Sequence, residues 1–203
     1  MKLIGMLDSP YVRRVAISAK CLGIPLEHES VSVFRNFEQF QQINPVVKAP
    51  TLVLDDGEVL MDSTLIIDYL EALAAPGKSL IPNDLKQRLR SLRLIGLALA
   101  ACEKSVQLYY ERSLRPAQIQ YAPWMERVEG QLAAAYSALE RELEKQPLKT
   151  DGSIAQDGIT LAVAWSFTNL VVPDQVDATQ FARIRAFTEY AEGLEVFVGT
   201  PID

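Results

Sequence analysis

Three short stretches in the first third of the chain carry residue types suited to holding an anion. Ser9 precedes Pro10, a residue favoured at the first helical position, so its hydroxyl stands at the positive end of a helix dipole. Asp62-Ser63 opens a second apolar-periodic run, with Asp62 placed to cap it and Ser63 offering a backbone N–H and a hydroxyl to an anion. Between them lies Asn44-Pro45-Val46-Val47-Lys48-Ala49-Pro50-Thr51-Leu52-Val53-Leu54, a loop feeding an apolar strand. Pro50 cannot donate to a sheet ladder, which assigns it to a strand edge or start. A cis Ala49–Pro50 bond would turn the chain there and face the Ala49 backbone N–H and C=O outward. An extended peptide ligand could then pair with them as another strand would. Each place also has a plainer reading: Ser9 and Asp62 as simple caps, Lys48 as a solvated lysine.

The elements around these residues read as follows. Lys2 to Met6 is a short strand, and Pro10 starts a helix with Val12, Val15, Ala16 and Ala19 on its apolar face, closed by Gly23. Leu26 to Val33 reads as a partly exposed strand, and Phe34 to Ile43 as a short or irregular helix. Thr51 to Leu54 and Glu58 to Met61 flank the hairpin signal Asp55-Asp56-Gly57. From Asp62 to Ala74, Leu65, Ile66, Tyr69, Leu70 and Leu73 recur at helical spacing. This order gives a mixed sheet with helices on its faces.

Beyond Pro76-Gly77 the pattern is helical throughout. Leu85, Leu89, Leu92, Gly96, Leu99, Cys102, Val106 and Tyr110 place one long amphipathic helix from Leu85 to about Tyr110, its leucines at core spacing and its arginines on the other faces. Pro123 opens another, with Val128, Leu132, Ala135, Leu139 and Leu143 along one side. Ile159 to Val172 is apolar all round, as a buried helix is, and Ala178 to Gly193 is a final amphipathic helix. The expected division is an α/β domain at 1–76, a linker at 77–83 and an all-helical domain at 84–203.

Composition narrows the classes of function. The chain has 203 residues, 49% of them hydrophobic, with a formal net charge of −6. That length and apolar content support a substantial core, and the negative field disfavours nucleic acid and anionic membrane. No leader and no apolar run of membrane-spanning length is read, which points to a cytoplasmic protein. Cys21 and Cys102 fall in helical patterns and read as buried, unpaired thiols. The single histidine, His28, excludes a His-rich metal site, so no metal is expected. The basic run from Lys86 to Arg93 reads as a solvated or inter-subunit face rather than a nucleic-acid surface.

In their order, the strand and Ser-Pro helix start, the Asn-Pro loop with Lys48-Ala49-Pro50, and the hairpin leading into Asp62-Ser63 resemble the thioredoxin-like N-terminal domain of the glutathione S-transferases, in the serine-type branch. The resemblance implies that fold, followed by an all-α domain, and glutathione as co-substrate. It also implies an electrophilic small molecule as partner, a homodimer, and a role in detoxification. It carries Asp62 and Ser63 onto the γ-glutamyl carboxylate of glutathione, Lys48 onto its glycine carboxylate and Ala49 onto its cysteinyl backbone. Ser9 would stabilise the thiolate: free thiols ionise near pKa ~8.5, and lower at helix N-termini. A cysteine at this position would instead imply mixed-disulfide chemistry.

Tyr11, Tyr109, Tyr110 and Arg112, with Arg115 beyond, either line an electrophile pocket or pack locally. Val47 stands where the family commonly has glycine. The helix at 159–172 has Ala155 and Gly158 where the family has a capping box, and Ser153 with Gln156 offers a shifted one. Two alternatives to a transferase remain: a related glutathione-dependent dehalogenase or isomerase, and a non-catalytic binding protein serving transcription or translation.

Overall fold

A computed structural model of the protein describes residues 1–202. Contacts between Cα atoms divide the chain into two units, one of residues 1–81 with the segment from Gly193 onward, the other of residues 82–192.

The first unit holds four strands, β1 (Lys2–Ile4), β2 (Glu27–Glu29), β3 (Thr51–Val53) and β4 (Val59–Met61), in the order β2-β1-β3-β4. β1 pairs parallel with β2 and antiparallel with β3, and β3 pairs antiparallel with β4. Leu3, Ile4 and Leu52 fill the buried centre of the sheet. β2, Glu-His-Glu, is an exposed, charged edge of the kind that resists pairing with another chain, and it stops at Glu29 rather than running to Val33. Helix α1 (Pro10–Leu22) packs against α3 (Ser63–Leu73), while α2 (Phe37–Ile43) contributes the buried Phe40. Gly23 ends α1 at φ 74, in the left-handed region open to glycine.

The second unit contains α4 (Leu85–Ser113), α5 (Ala122–Lys145), α6 (Gln156–Val171) and α7 (Ala182–Glu192). The 3.6-residue period of α4 is present, but its phase differs from the sequence reading. Ser91, Leu94, Ile95, Ala98, Ala101, Cys102, Ser105 and Leu108 face inward, whereas Leu85, Leu89 and Leu92 are 80%, 69% and 50% exposed. Small residues on the inner face let α5 and α6 approach, so the more hydrophobic stripe was not the buried one. Where α4, α5 and α6 meet, three hydroxyls bond to one another: Thr168 Oγ1 lies 2.6 Å from Tyr136 Oη and 2.7 Å from Ser105 Oγ. Tyr136 is fully buried, and desolvation pushes its phenol well above the ordinary tyrosine range.

α6 is buried nearly all round, yet it starts without a capping box. Its N-cap is Ala155, Ser153 gives its hydroxyl to Asp151, and Gln156 lies inside the helix. A Cβ at Gly158 would stand 2.8 Å from Phe187 Cζ, so the aromatic ring occupies the space a capping acid would need. The last predicted helix is also interrupted. A 3₁₀ turn at Ala178–Gln180, held by Asp177, precedes α7, and buried Phe181 between them stacks near Tyr136 and Trp165 with ring centroids 5.8 Å from each.

The chain from Gly193 belongs to the first unit, where α8 (Glu195–Val198) packs on α1. Arg13 Nε donates to Thr200 O at 2.9 Å with its guanidinium 5.4 Å from the Phe197 ring, and Lys20 Nζ donates to Gly199 O at 2.5 Å. Among the described residues no helix is long and apolar enough to cross a membrane.

Candidate functional site

β1 is followed directly by Gly5, which is buried at φ 134. A methyl group there would lie 2.7 Å from Val12 Cγ2 and 3.1 Å from Ala49 Cβ. Glycine is therefore what lets α1 and the Ala49 loop close on the strand end. The sequence reading placed Gly5 in the strand and gave it no role; its signal was a glycine directly after a buried apolar run and shortly before Ser-Pro.

Ser9 is the N-cap of α1 and is half-buried. Its carbonyl accepts the Arg13 N–H at 2.9 Å, but its side chain makes no capping bond. The hydroxyl thus stands at a helix N-terminus without being used by the helix.

The loop before β3 is laced by two buried side chains. Asn44 donates to Thr51 Oγ1 at 2.9 Å and accepts from the Val46 N–H at 3.0 Å, and the Thr51 hydroxyl donates to Lys48 O at 2.7 Å. The Ala49–Pro50 peptide is cis. Among the described residues no hydrogen bond engages the Ala49 backbone N–H or C=O. Val47 has φ 52, a left-handed conformation uncommon for a β-branched residue, and its side chain packs on the cluster of Ile4, Val31 and Phe40. Asn44 and Thr51 brace the backbone that glycine would adopt unaided.

Asp62 is the second non-glycine residue at positive φ, at 76°. Its Oδ1 accepts from the Thr64 and Leu65 N–H groups at 2.9 and 3.4 Å, capping α3. Its Oδ2 lies 3.7 Å from Lys48 Nζ, an ion pair exposed enough to be worth little by itself. Ser63 is almost buried, and its Oγ accepts a 2.9 Å bond from Arg14 Nη1, which also reaches Thr64 Oγ1 at 3.3 Å. Strain of roughly 1–3 kcal/mol at residues such as Val47 and Asp62 is characteristic of ligand clamps.

The structure thus brings Lys48 beside Asp62, and Ala49 beside Gly5 and the first turn of α1. Tyr11 lies half-buried in that same turn. On the helical unit, the Tyr109 and Tyr110 rings sit 6.1 Å apart. Arg112 is not a free cation: it bonds Glu129 at 2.8 Å, and the Gln175 amide bridges the two, its oxygen facing Arg112. Arg115 pairs likewise with Glu111 at 3.1 Å. Trp165 is core, while Trp124 is 41% exposed. Neither Cys21 nor Cys102 forms a disulfide, and burial raises the Cys21 thiol above its ordinary range. Among the described residues no three His, Cys, Asp or Glu side chains gather as a metal-binding group.

These features define a class: a four-stranded mixed sheet with helices on its faces, a polar cluster at the starts of α1 and α3, and a second unit made of helices. Residues 3–78 match the family described as glutathione S-transferase, N-terminal domain. The chain is 30% identical over 204 residues to glutathione S-transferase theta-2 of Rattus norvegicus, covering 98% of this chain and 82% of that one. It is 30% identical over 175 residues to the uncharacterized GST-like protein YibF of Escherichia coli (strain K12), covering 85% of each. A glutathione transferase family member from Pseudomonas fluorescens Pf-5, solved with bound glutathione, superposes with a TM-score of 0.86 at 27% identity, covering 100% of this chain and 98% of that chain. The chain belongs to the glutathione S-transferase family, with its thioredoxin-like N-terminal and helical C-terminal architecture.

Proposed function

We propose that this protein is a glutathione transferase that binds glutathione along Ala49 and activates its thiol at Ser9. The observation that carries the reading is the Ser9 hydroxyl at the α1 N-terminus, unused as a cap and therefore able to donate to a thiolate. The unengaged Ala49 N–H and C=O pair with the cysteinyl backbone of glutathione. The N-terminal turn of α3, with Asp62 and Ser63, holds the γ-glutamyl end, and Lys48 turns from Asp62 toward the glycine carboxylate.

In the reaction the glutathione thiol gives its proton to solvent. The sulfur lone pair forms an S–C bond to an electrophilic carbon, and the leaving group departs with its bonding pair. Ser9 stabilises the anion without forming a bond, and the bound geometry supplies proximity. Tyr11, in the first turn of α1, is the side chain assigned to the electrophile. Arg112 is tied to Glu129 and serves structure.

The active protein is read as a cytoplasmic homodimer, and the exposed leucines of α4 support self-association. Leu89→Glu should shift sedimentation from dimer to monomer, and a wild type that sediments as a monomer overturns this part. Titration calorimetry of the wild type with glutathione tests the main reading. Saturable binding is expected, and its absence would favour a binding protein that has kept only the fold.

A further inference from the structure

We propose that Arg14 is a positioning residue for the γ-glutamyl carboxylate of glutathione, acting through Ser63; this rests on the glutathione reading above. Arg14 lies in the middle of α1 and is only 2% exposed, an unusual burial for a guanidinium. From there its Nη1 reaches out of its own helix to two hydroxyls in the first turn of α3, Ser63 Oγ at 2.9 Å and Thr64 Oγ1 at 3.3 Å.

A serine hydroxyl has one hydrogen and two lone pairs, and its hydrogen turns toward whichever acceptor is at hand. A guanidinium has donors only, so its contact occupies a lone pair of Ser63 and leaves the Ser63 hydrogen for another acceptor. At a helix N-terminus that acceptor is an incoming anion. Arg14 therefore fixes Ser63 as a donor to the ligand before the ligand arrives. It also adds positive charge behind the α3 N-terminus, where the helix dipole already favours a carboxylate.

A second consequence concerns placement. Val12 touches the position where a Gly5 side chain would stand, and Ser9 begins the same helix, so α1 carries the thiol-activating hydroxyl at its start and the carboxylate-orienting guanidinium further along. One rigid helix would then hold the central thiol and the γ-glutamyl end of the same tripeptide in register. Lysine at position 14 would bring a single flexible ammonium in place of a planar donor group, and would reproduce the arrangement only in part.

The test compares two ligands by calorimetry: glutathione, and 4-aminobutyryl-cysteinyl-glycine, which lacks only the α-carboxylate of the γ-glutamyl residue. The wild type should prefer glutathione by about tenfold or more, the range of a charge-assisted bond. Arg14→Met should weaken glutathione about tenfold and leave the analogue within about twofold, erasing most of the preference. Arg14→Lys should restore part of it, and Ser63→Ala should cost less in the Arg14→Met background than alone.

A wild-type preference ratio in Arg14→Met overturns the proposal, whether both affinities are unchanged or both fall equally, since the second pattern is that of a merely structural residue. Should Arg14→Met fail to fold, Arg14→Gln and Arg14→Lys decide by the same ratio. A wild type that binds both ligands alike overturns the role of Arg14 while leaving the glutathione reading intact. A wild type that binds neither overturns that reading itself.

Discussion

Gly5 and Ala49 stand so close that a methyl group on Gly5 would come within 3.1 Å of the Ala49 Cβ, while pressing to 2.7 Å on Val12 Cγ2. The end of β1, the start of α1 and the loop before β3 meet at this point, and a side chain would push them apart. Gly5→Ala also meets φ 134, a conformation that L side chains rarely adopt. The substitution should lower the urea midpoint of unfolding and weaken glutathione binding together. The expected destabilisation is about 1–3 kcal/mol, the scale of overpacking in a well-filled interior. Unchanged midpoint and affinity would show that the contact is loose.

Ser9→Ala tests the thiolate. The side chain makes no capping bond, so its removal should leave folding stability nearly unchanged. Glutathione affinity should hold, while the pKa of the bound thiol rises and turnover at neutral pH falls. Part of the loss should return as the pH is raised through the new thiol pKa. The sign follows from the thiolate being the reactive form: a raised pKa depletes it at neutral pH, and alkali restores it. A titration of thiolate absorbance in the two complexes decides the matter, and coincident curves would leave Ser9 with no part in activation.

Asp62→Asn separates charge from capping. Asparagine tolerates positive φ and can accept the Thr64 and Leu65 N–H bonds, so the first turn of α3 should survive. Removing the charge takes away the pairing with Lys48 and the anion that the proposed reading sets at the γ-glutamyl end of glutathione. Thermal stability should therefore change little while glutathione affinity drops about five- to tenfold, the difference between a charge-assisted and a neutral bond. A large loss of stability with full affinity would reverse the assignment.

Tyr136→Phe probes the hydroxyl knot of the helical unit. Its Oη lies 3.0 Å from Ala164 O and 2.6 Å from Thr168 Oγ1, all in buried surroundings. Deleting it takes one partner from Thr168 Oγ1 and one from the Ala164 carbonyl, and should destabilise the protein by about 1–3 kcal/mol. The readout is the urea midpoint followed by far-ultraviolet circular dichroism. The Tyr136 ring meets Trp165 edge-on at 5.0 Å, and phenylalanine keeps that packing, so an unchanged midpoint would mean that the hydroxyl network adds nothing.

What the sequence determined by itself were features governed by a few neighbouring residues. Ser9-Pro10 started a helix, Asp55-Asp56-Gly57 turned a hairpin and Asp62 capped α3, because caps, turns and proline geometry act over one to four peptide units. The family order of these signals supplied the architecture. What the tertiary structure alone decided depended on partners distant in the chain. Leu85, Leu89 and Leu92 kept helical spacing but faced outward, since the face of α4 that is buried is set by what α5 and α6 can approach, and small residues allowed the closer approach. Phe181 broke the last predicted helix to bury its ring against Tyr136 and Trp165. Gly158 left a capping box unformed to admit Phe187. Arg14 carries no local signal in the sequence, and its reach to Ser63 depends on α1 and α3 packing side by side. Periodicity records that a helix has an inner face, whereas the choice of face, and the polar contacts that cross between elements, are settled by packing over the whole fold.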